Sequence, residues 1–355
     1  MRKLLINLFI ALGIGAIFIV LMFTDKSVDK ALDIFKTIDY LYLLIALLCV
    51  LALWILGSIS VKVLKKSMIG EEKDPGGNFL AVLSHDFISA ITPFSSGGQP
   101  ALVYTLTKKG LDTGIGTSLA IIRSFLYMVL ELALSLIGFF IAKNYLLRKI
   151  PAFYAYFIPA VVVCTLYLGV IIAFLSTGKL SKWTVKLVMK LVKKFVPKKY
   201  DKIEKYTQEA FVSFRKGVEV FAKKPWYWLF AIVLQTAELI CIYIVPVFML
   251  RAIEGSFEHG FTLLVCAILT SMMTSYVPTP GTAGGAEGIA LLLIAPFFTT
   301  SPALSVIFIW RLISYYSKIL FGSLGFMAVI KMPYAQGSEN KATRQALMEE
   351  ANKMW

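Results

Sequence analysis

The sequence predicts an all-α polytopic membrane protein with about six full spans and two re-entrant broken helical hairpins in an inverted repeat. Three observations predict it. Of the 355 residues, 58% are hydrophobic and 16% charged, with a mean hydropathy of +0.76, a balance outside that of ordinary soluble domains. Apolar runs near 4–23, 41–61, 115–142, 152–176, 226–250 and 303–330 each reach the roughly 20 residues that cross a hydrocarbon core about 30 Å thick. Two more apolar regions, 78–108 and 261–300, are each cut in the middle by Thr-Pro and a glycine pair.

The elements follow in order. Residues 1–40 hold a first span and an external loop. Met1-Arg2-Lys3 leads into an apolar run to Phe23 that is long for a secretory h-region of about 7–15 residues and has no small-x-small cleavage site, so an uncleaved helix is expected. Residues 41–142 form a first unit: a span, the hairpin 78–108, and a span with Arg123 at its centre. Residues 143–225 supply a linking span and a basic amphipathic segment. Residues 226–330 form the second unit, with hairpin 261–300 and a span carrying Arg311, and 331–355 is a tail. Cys49, Cys164, Cys241 and Cys266 all lie in apolar segments without paired spacing, as small core hydrophobes do.

The units are matched at their breaks. In "TPFSSGGQP", Thr92-Pro93 precedes Gly97-Gly98-Gln99. In "TPGTAGGAE", Thr279-Pro280 precedes Gly284-Gly285, then Glu287. Arg123 lies 31 residues beyond Thr92 and Arg311 lies 32 beyond Thr279. This is the signature of a diverged duplication. An odd number of crossings separates the starts of the two units, so they enter the bilayer from opposite sides, as in many secondary transporters. Pro93 and Pro280 end a helix, and the paired glycines permit backbone angles that other residues resist. Backbone freed from helix at membrane depth must be buried in protein or line a watery cavity. The half-helices that restart near Gln99-Pro100 and Ala286-Glu287 point their positive ends inward, which suits an anionic group such as a lipid phosphate.

Charge sets the expected topology. Between Lys179 and Lys224 there are 14 Lys/Arg against Asp201, Glu204, Glu209 and Glu219, so this segment and the basic loop 62–77 are expected on the cytoplasmic side, with both termini. Lys143, Arg148 and Lys149 run against that assignment. Within "SKWTVKLVMKLVKKF", Trp183, Leu187, Leu191 and Phe195 share a helical face with Lys190 beside them, which predicts an interfacial helix on anionic headgroups and not a nucleic-acid surface.

Arg123, Glu131, Glu238, Glu287, Arg311 and Lys318 fall inside apolar spans, where a central charge costs about 2.5–3.5 kcal/mol and must find a partner or water. The arginines are expected to hold a phosphate, and the carboxylates a cationic headgroup or a coupling proton. The structural alternative is fixed ion pairs, for instance Arg123 with Glu287. His85-Asp86, just before the first break, could shuttle a proton. With only His85 and His259, and no GxxxxGK[ST] or GxSxG, the sequence offers no catalytic residue, metal site or cofactor motif.

"TPFSSGGQPALVYTLTKKG" and "PTPGTAGGAEG", each followed by an arginine-bearing helix, resemble the transmembrane region of lysylphosphatidylglycerol synthases, a flippase-like membrane family. The resemblance implies movement of a phospholipid, such as an aminoacyl-phosphatidylglycerol, between leaflets of a bacterial plasma membrane. On it, the expected substrate-binding residues are Arg123, Arg311, Glu287, Gln99, Glu131, Glu238, Thr92 and Thr279. Bifunctional members carry a soluble aminoacyltransferase domain after the membrane part. Only a short tail follows Ile330 here, so no synthase activity is expected. The alternatives are a lysyltransferase-related enzyme subunit, a transporter of a glycolipid or polyprenyl-phosphate carrier, or a scaffold recruiting a partner through 179–224. A homo-oligomer or a separate lipid-synthesising enzyme remains open as partner.

Overall fold

The computed structural model describes residues 38–70, 75–176, 179–195, 200–275, 277–297 and 300–335, together with Gly13. The expected first span at 4–23, most of the loop before Tyr40 and most of the tail lie outside the described residues. Those described form helices: α1 (Tyr40–Ile69), α2 (Pro75–Ala90), α3 (Gly98–Lys108), α4 (Thr113–Lys149), α5 (Phe153–Leu175), α6 (Lys179–Phe195), α7 (Tyr200–Ala222), α8 (Pro225–Tyr243), α9 (Val245–Glu254), α10 (Gly260–Thr274), α11 (Gly285–Ile294), α12 (Thr300–Arg311) and α13 (Ser317–Lys331). A π-helical turn, Leu312–Tyr316, joins the last two. Among the described residues, five stretches are long and apolar enough to cross a membrane: Tyr40–Ile69, Thr113–Lys149, Phe153–Leu175, Pro225–Glu254 and Leu304–Lys331.

The segment expected as a basic loop at 62–77 is corrected in part. Helix α1 runs on to Ile69, where Gly70 closes it with its N–H on the Lys66 carbonyl at φ +83°. Lys62, Lys65 and Lys66 are therefore helical. Likewise α4 continues to Lys149, beyond the boundary expected at 142.

The opening spans of the two units are antiparallel neighbours. The Asp39 N–H, at the start of α1, donates to the Ala252 carbonyl near the end of α9 at 2.9 Å. Lys224, before α8, donates to the Ser67 carbonyl near the end of α1 at 2.6 Å. Other contacts come in matched pairs. Helix α2 packs on α13 and α10 packs on α4. Lys108 at the end of α3 reaches the Val329 and Ile330 carbonyls at the end of α13. Phe297, just after α11, stacks on Tyr145 near the end of α4 at 4.5 Å between ring centroids. Small residues set the close approaches, as is usual between membrane helices: a Cβ at Gly322 of α13 would lie 2.8 Å from the Phe87 Cβ of α2.

Between α2 and α3, and between α10 and α11, the chain turns back on itself. Helix α3 has 11 residues, about 16 Å at 1.5 Å each, half the thickness of a hydrocarbon core. The breaks thus lie near mid-depth of the spans beside them. Beyond α5, α6 shows Leu180, Trp183 and Leu187 outward at 48%, 60% and 44% exposure and turns Val185 and Met189 onto Phe211 and Phe214. The Trp183 and Leu187 face is open, as an interfacial helix requires. The side chains of Leu191 and Phe195 lie outside what is described.

Candidate functional site

The two breaks have the same internal wiring at matched positions. In the first, Ser95 N–H donates to the Thr92 carbonyl and Ser96 N–H to the Pro93 carbonyl, both at 3.1 Å. In the second, Thr282 N–H donates to Thr279 and Ala283 N–H to Pro280, again at 3.1 Å. Positive φ falls on Phe94 and Ser95 in one and on Gly281 and Thr282 in the other. One assignment made from sequence is corrected by this. Gly97 has φ −80°, so the first glycine pair serves close packing: a Cβ on Gly97 would meet the Thr92 Cγ2 at 2.8 Å and one on Gly98 would fall on the Ser89 hydroxyl. In the second break Gly284 does take a positive φ, +81°, while Gly285 packs against Val277.

The breaks meet. Pro93 and Pro280 form an isolated antiparallel bridge, and Gly281 N–H donates to the Thr92 carbonyl at 3.2 Å. Tyr315 from the π turn donates to the Ala90 carbonyl at 2.9 Å. Gly281 is required here, since at φ +56° a Cβ would strike that carbonyl and sit 2.6 Å from the Tyr315 ring.

The charged residues expected to bind substrate are instead spent largely on each other. Arg123 of α4 pairs with Glu238 of α8 at 2.5 Å, and Arg311 of α12 with Glu287 of α11 at 2.7 Å. The pairing of Arg123 with Glu287 expected as the structural alternative is therefore wrong: each arginine takes the carboxylate of the helix packed beside it. All four residues are under 10% exposed. Glu287 also accepts the Gly284 N–H at 2.7 Å, occupying the positive end of α11 that a phosphate would need. Arg311 further lies over the Tyr315 ring, 4.1 Å from its centroid. At α3 the corresponding N–H groups are mostly used: Gly97 N–H goes to Thr92 Oγ1 at 3.0 Å, Gly98 N–H to Ser95, and Pro100 has none. Thr92 and Thr279 serve the turns, donating to the Ile88 and Ala283 carbonyls.

Glu131 stands apart. It is 2% exposed and its Oε1 accepts hydroxyls from Tyr127, Tyr243 and Ser271 at 3.2, 3.4 and 2.5 Å. A cluster that sequence reasoning only touched lies on α2: Asp86 accepts from Trp54 Nε1 at 3.1 Å, lies 3.0 Å from the His85 ring nitrogen, and faces Lys318 at 3.7 Å. The pattern of intramembrane charges could have found Lys318–Asp86; Trp54 gave no signal.

Of the expected substrate-binding residues, Gln99 alone lines the open groove of about 830 Å³ that runs along α3 and the first turns of α4, from Gln99 and Pro100 beside the first break to Thr113 and Tyr334. The Gln99 Oε1 is buried without a partner. Among the described residues no group of three or more His, Cys, Asp or Glu is placed to hold a metal.

Fold and site together define a class: a multi-pass helical membrane protein in which two oppositely directed broken hairpins touch at their breaks beside a groove. The chain belongs to the family described as the lysylphosphatidylglycerol synthase transmembrane region, which it matches over residues 8–322. It is similar to a UPF0104 membrane protein of Archaeoglobus fulgidus, with 24% identity over 328 residues, 90% of this chain and 95% of that protein. No solved structure matches it.

Proposed function

We propose that the protein moves a lipid headgroup between membrane leaflets. The observation that carries this reading is the pair of matched breaks joined at Pro93 and Pro280, with a groove leading from that contact toward one end of the spans. Non-helical backbone at membrane depth is kept where it is buried in protein, as at the second break, or lines a water-filled cavity, as the exposed first break would, and inverted units touching at mid-depth are the parts from which alternating access is built. The family's description, naming a lipid synthase's membrane region, supports a lipid as cargo. Translocation, with no bond made or broken, is the proposed role. The Arg311–Glu287 pair braces the start of α11 behind the second break, the Arg123–Glu238 pair ties α4 to α8, and the headgroup enters by the groove.

In this reading the end bearing α6 and α7 is cytoplasmic, since 179–224 carries the basic excess, and both termini share that side of a plasma membrane. The row Leu180, Trp183, Leu187 beds into the interface while Lys186 and Lys190 meet anionic headgroups.

The test is a leaflet-accessibility assay on purified protein in liposomes carrying trace fluorescent-tail lipid. Dithionite should quench beyond the outer-leaflet fraction at a rate that rises with protein content. Quenching that stops at the outer leaflet, for every headgroup tried, would sink the reading.

A further inference from the structure

We infer that the groove beside the first break selects an uncharged polyhydroxy headgroup, a glycosyl unit on a lipid anchor, over the cationic aminoacyl headgroup that the family's description suggests. The inference rests on the lipid-moving reading and narrows its substrate.

The lining carries the argument. None of the described residues that line the groove is charged; its polar members are Gln99, Tyr104, Thr107, Thr113, Thr117 and Tyr334. Two hydroxyl-rich helices thus face each other, with Thr107 on α3 donating to Thr113 on α4 at 3.4 Å. A threonine or tyrosine hydroxyl both donates and accepts, and a glutamine amide adds an acceptor and two donors. That mixture matches a sugar, whose hydroxyls also do both, and the buried Gln99 Oε1 lacks a donor within the protein. Tyr104 and Tyr334, 37% and 58% exposed, present ring faces on which the apolar face of a pyranose can rest.

The charges close by are committed elsewhere. Lys108 is 5% exposed, binds the Val329 and Ile330 carbonyls at 2.8 Å, and reaches the groove wall, donating to the Tyr104 hydroxyl at 3.5 Å and lying 5.6 and 5.4 Å from the centroids of the Tyr104 and Tyr334 rings. Asp112 caps α4 through the Gly114 and Ile115 N–H groups. An ammonium drawn into this groove would lose water and meet Lys108 with no carboxylate among the described lining residues, and a phosphate would find the Lys108 ammonium at the wall already held by two carbonyls and the Tyr104 hydroxyl, so both are costly to bring in. An uncharged polyol exchanges hydrogen bonds with water for hydrogen bonds with threonines at little cost. The volume lies within the roughly 300–1,000 Å³ of ligand pockets.

The test uses the full chain in nanodiscs and measures retention, by native mass spectrometry, of glucosyl-diacylglycerol, phosphatidylglycerol and lysyl-phosphatidylglycerol offered at equal mole fraction. Glucosyl-diacylglycerol should be retained preferentially. Gln99→Leu on α3 and Thr117→Val on α4 should each weaken its retention about fivefold, the value of one lost hydrogen bond, without moving the melting midpoint of the lipid-free protein. Competition by millimolar free glucose would assign the same chemistry to a soluble sugar, and its absence to the lipid. Equal or better retention of either charged lipid, or unchanged retention in both variants, would overturn the inference. Sugar-selective binding without leaflet exchange would leave it standing and remove the transport reading instead; exchange of charged lipids alone would do the reverse.

Discussion

Replacing Arg123 by methionine should destabilise the protein by about 3–5 kcal/mol, and adding Glu238→Met should recover most of that loss. The pair lies 2.5 Å apart, with side-chain exposures of 9% and 6%. Gly57 lets α1 close over it: a Cβ there would be 3.1 Å from Arg123 Nη2 and 3.3 Å from Glu238 Oε2. Removing one partner strands a buried charge, which costs about 3–5 kcal/mol, whereas replacing both with apolar groups of similar volume is often neutral or better. The pair is also imperfectly served, since Arg123 Nε and Glu238 Oε1 have no partner, so the double replacement gives up little. A change of about 3 kcal/mol is a factor of about a hundred in the ratio of folded to unfolded protein. Unfolding by SDS titration in mixed micelles, followed by tryptophan fluorescence, measures it. Two single variants that unfold with the wild type, or a double variant no better than the worse single, would refute this account and return Arg123 to the role of a ligand-binding cation.

The junction of the breaks should be lockable. In a chain freed of its four cysteines, Pro93→Cys with Pro280→Cys should form a disulfide on mild oxidation, seen as a loss of maleimide labelling that a reductant restores, because antiparallel bridge partners have Cα atoms about 4.5–5.5 Å apart; failure to crosslink would separate the hairpins. Glu131→Gln should keep an acceptor for its three hydroxyls and stay within about 1 kcal/mol of wild type, while Glu131→Leu strands them and costs about 2–3 kcal/mol; the same SDS titration decides, and equal stability of the two would dissolve the hydroxyl cage. A bimane label at Leu187→Cys in nanodiscs should shift to the blue and lose intensity with brominated lipids; an unshifted, water-like spectrum would lift α6 off the membrane.

What was legible in the sequence was whatever is written twice. Thr92-Pro93 and Thr279-Pro280 announce the same turn, and the structure gives both the same hydrogen bonds. The span with its central arginine is likewise repeated. The ion-pair partners were not legible, because Glu238 is 115 residues from Arg123 and its matched position in the first unit, Leu51, is apolar. Nor could sequence foresee that Phe94 and Ser95 carry the positive φ while Gly97 and Gly98 supply closeness. A glycine marks a constraint without saying whether it is angular or steric. The Trp54–Asp86–Lys318 cluster joins three helices, a relation that no local spacing encodes.

The wiring of the two breaks is the same but their surroundings differ, and that difference indicates which one faces the path. The second is sealed: Pro280, Gly281 and Ala283 are buried, and Glu287 and Arg311 neutralise each other beside it. The first is open, with Pro93, Phe94, Ser95 and Ser96 exposed and Gln99 at the head of the groove. Irregular backbone exposed to lipid does not persist in the hydrocarbon region, but backbone facing water does, so the first break must meet a water-filled space. The matched pair Ser96 and Ala283 isolates this difference, because both donate their N–H groups to the preceding proline carbonyl and only the surroundings change. In the cysteine-free chain reconstituted in liposomes, Ser96→Cys should react with a charged, membrane-impermeant methanethiosulfonate at least tenfold faster than Ala283→Cys. Because the groove runs toward Thr113 and Tyr334, reagent on the α6 and α7 side should be the effective one. Equal rates at the two positions would mean that the first break is covered in the membrane, and the groove would then lead nowhere.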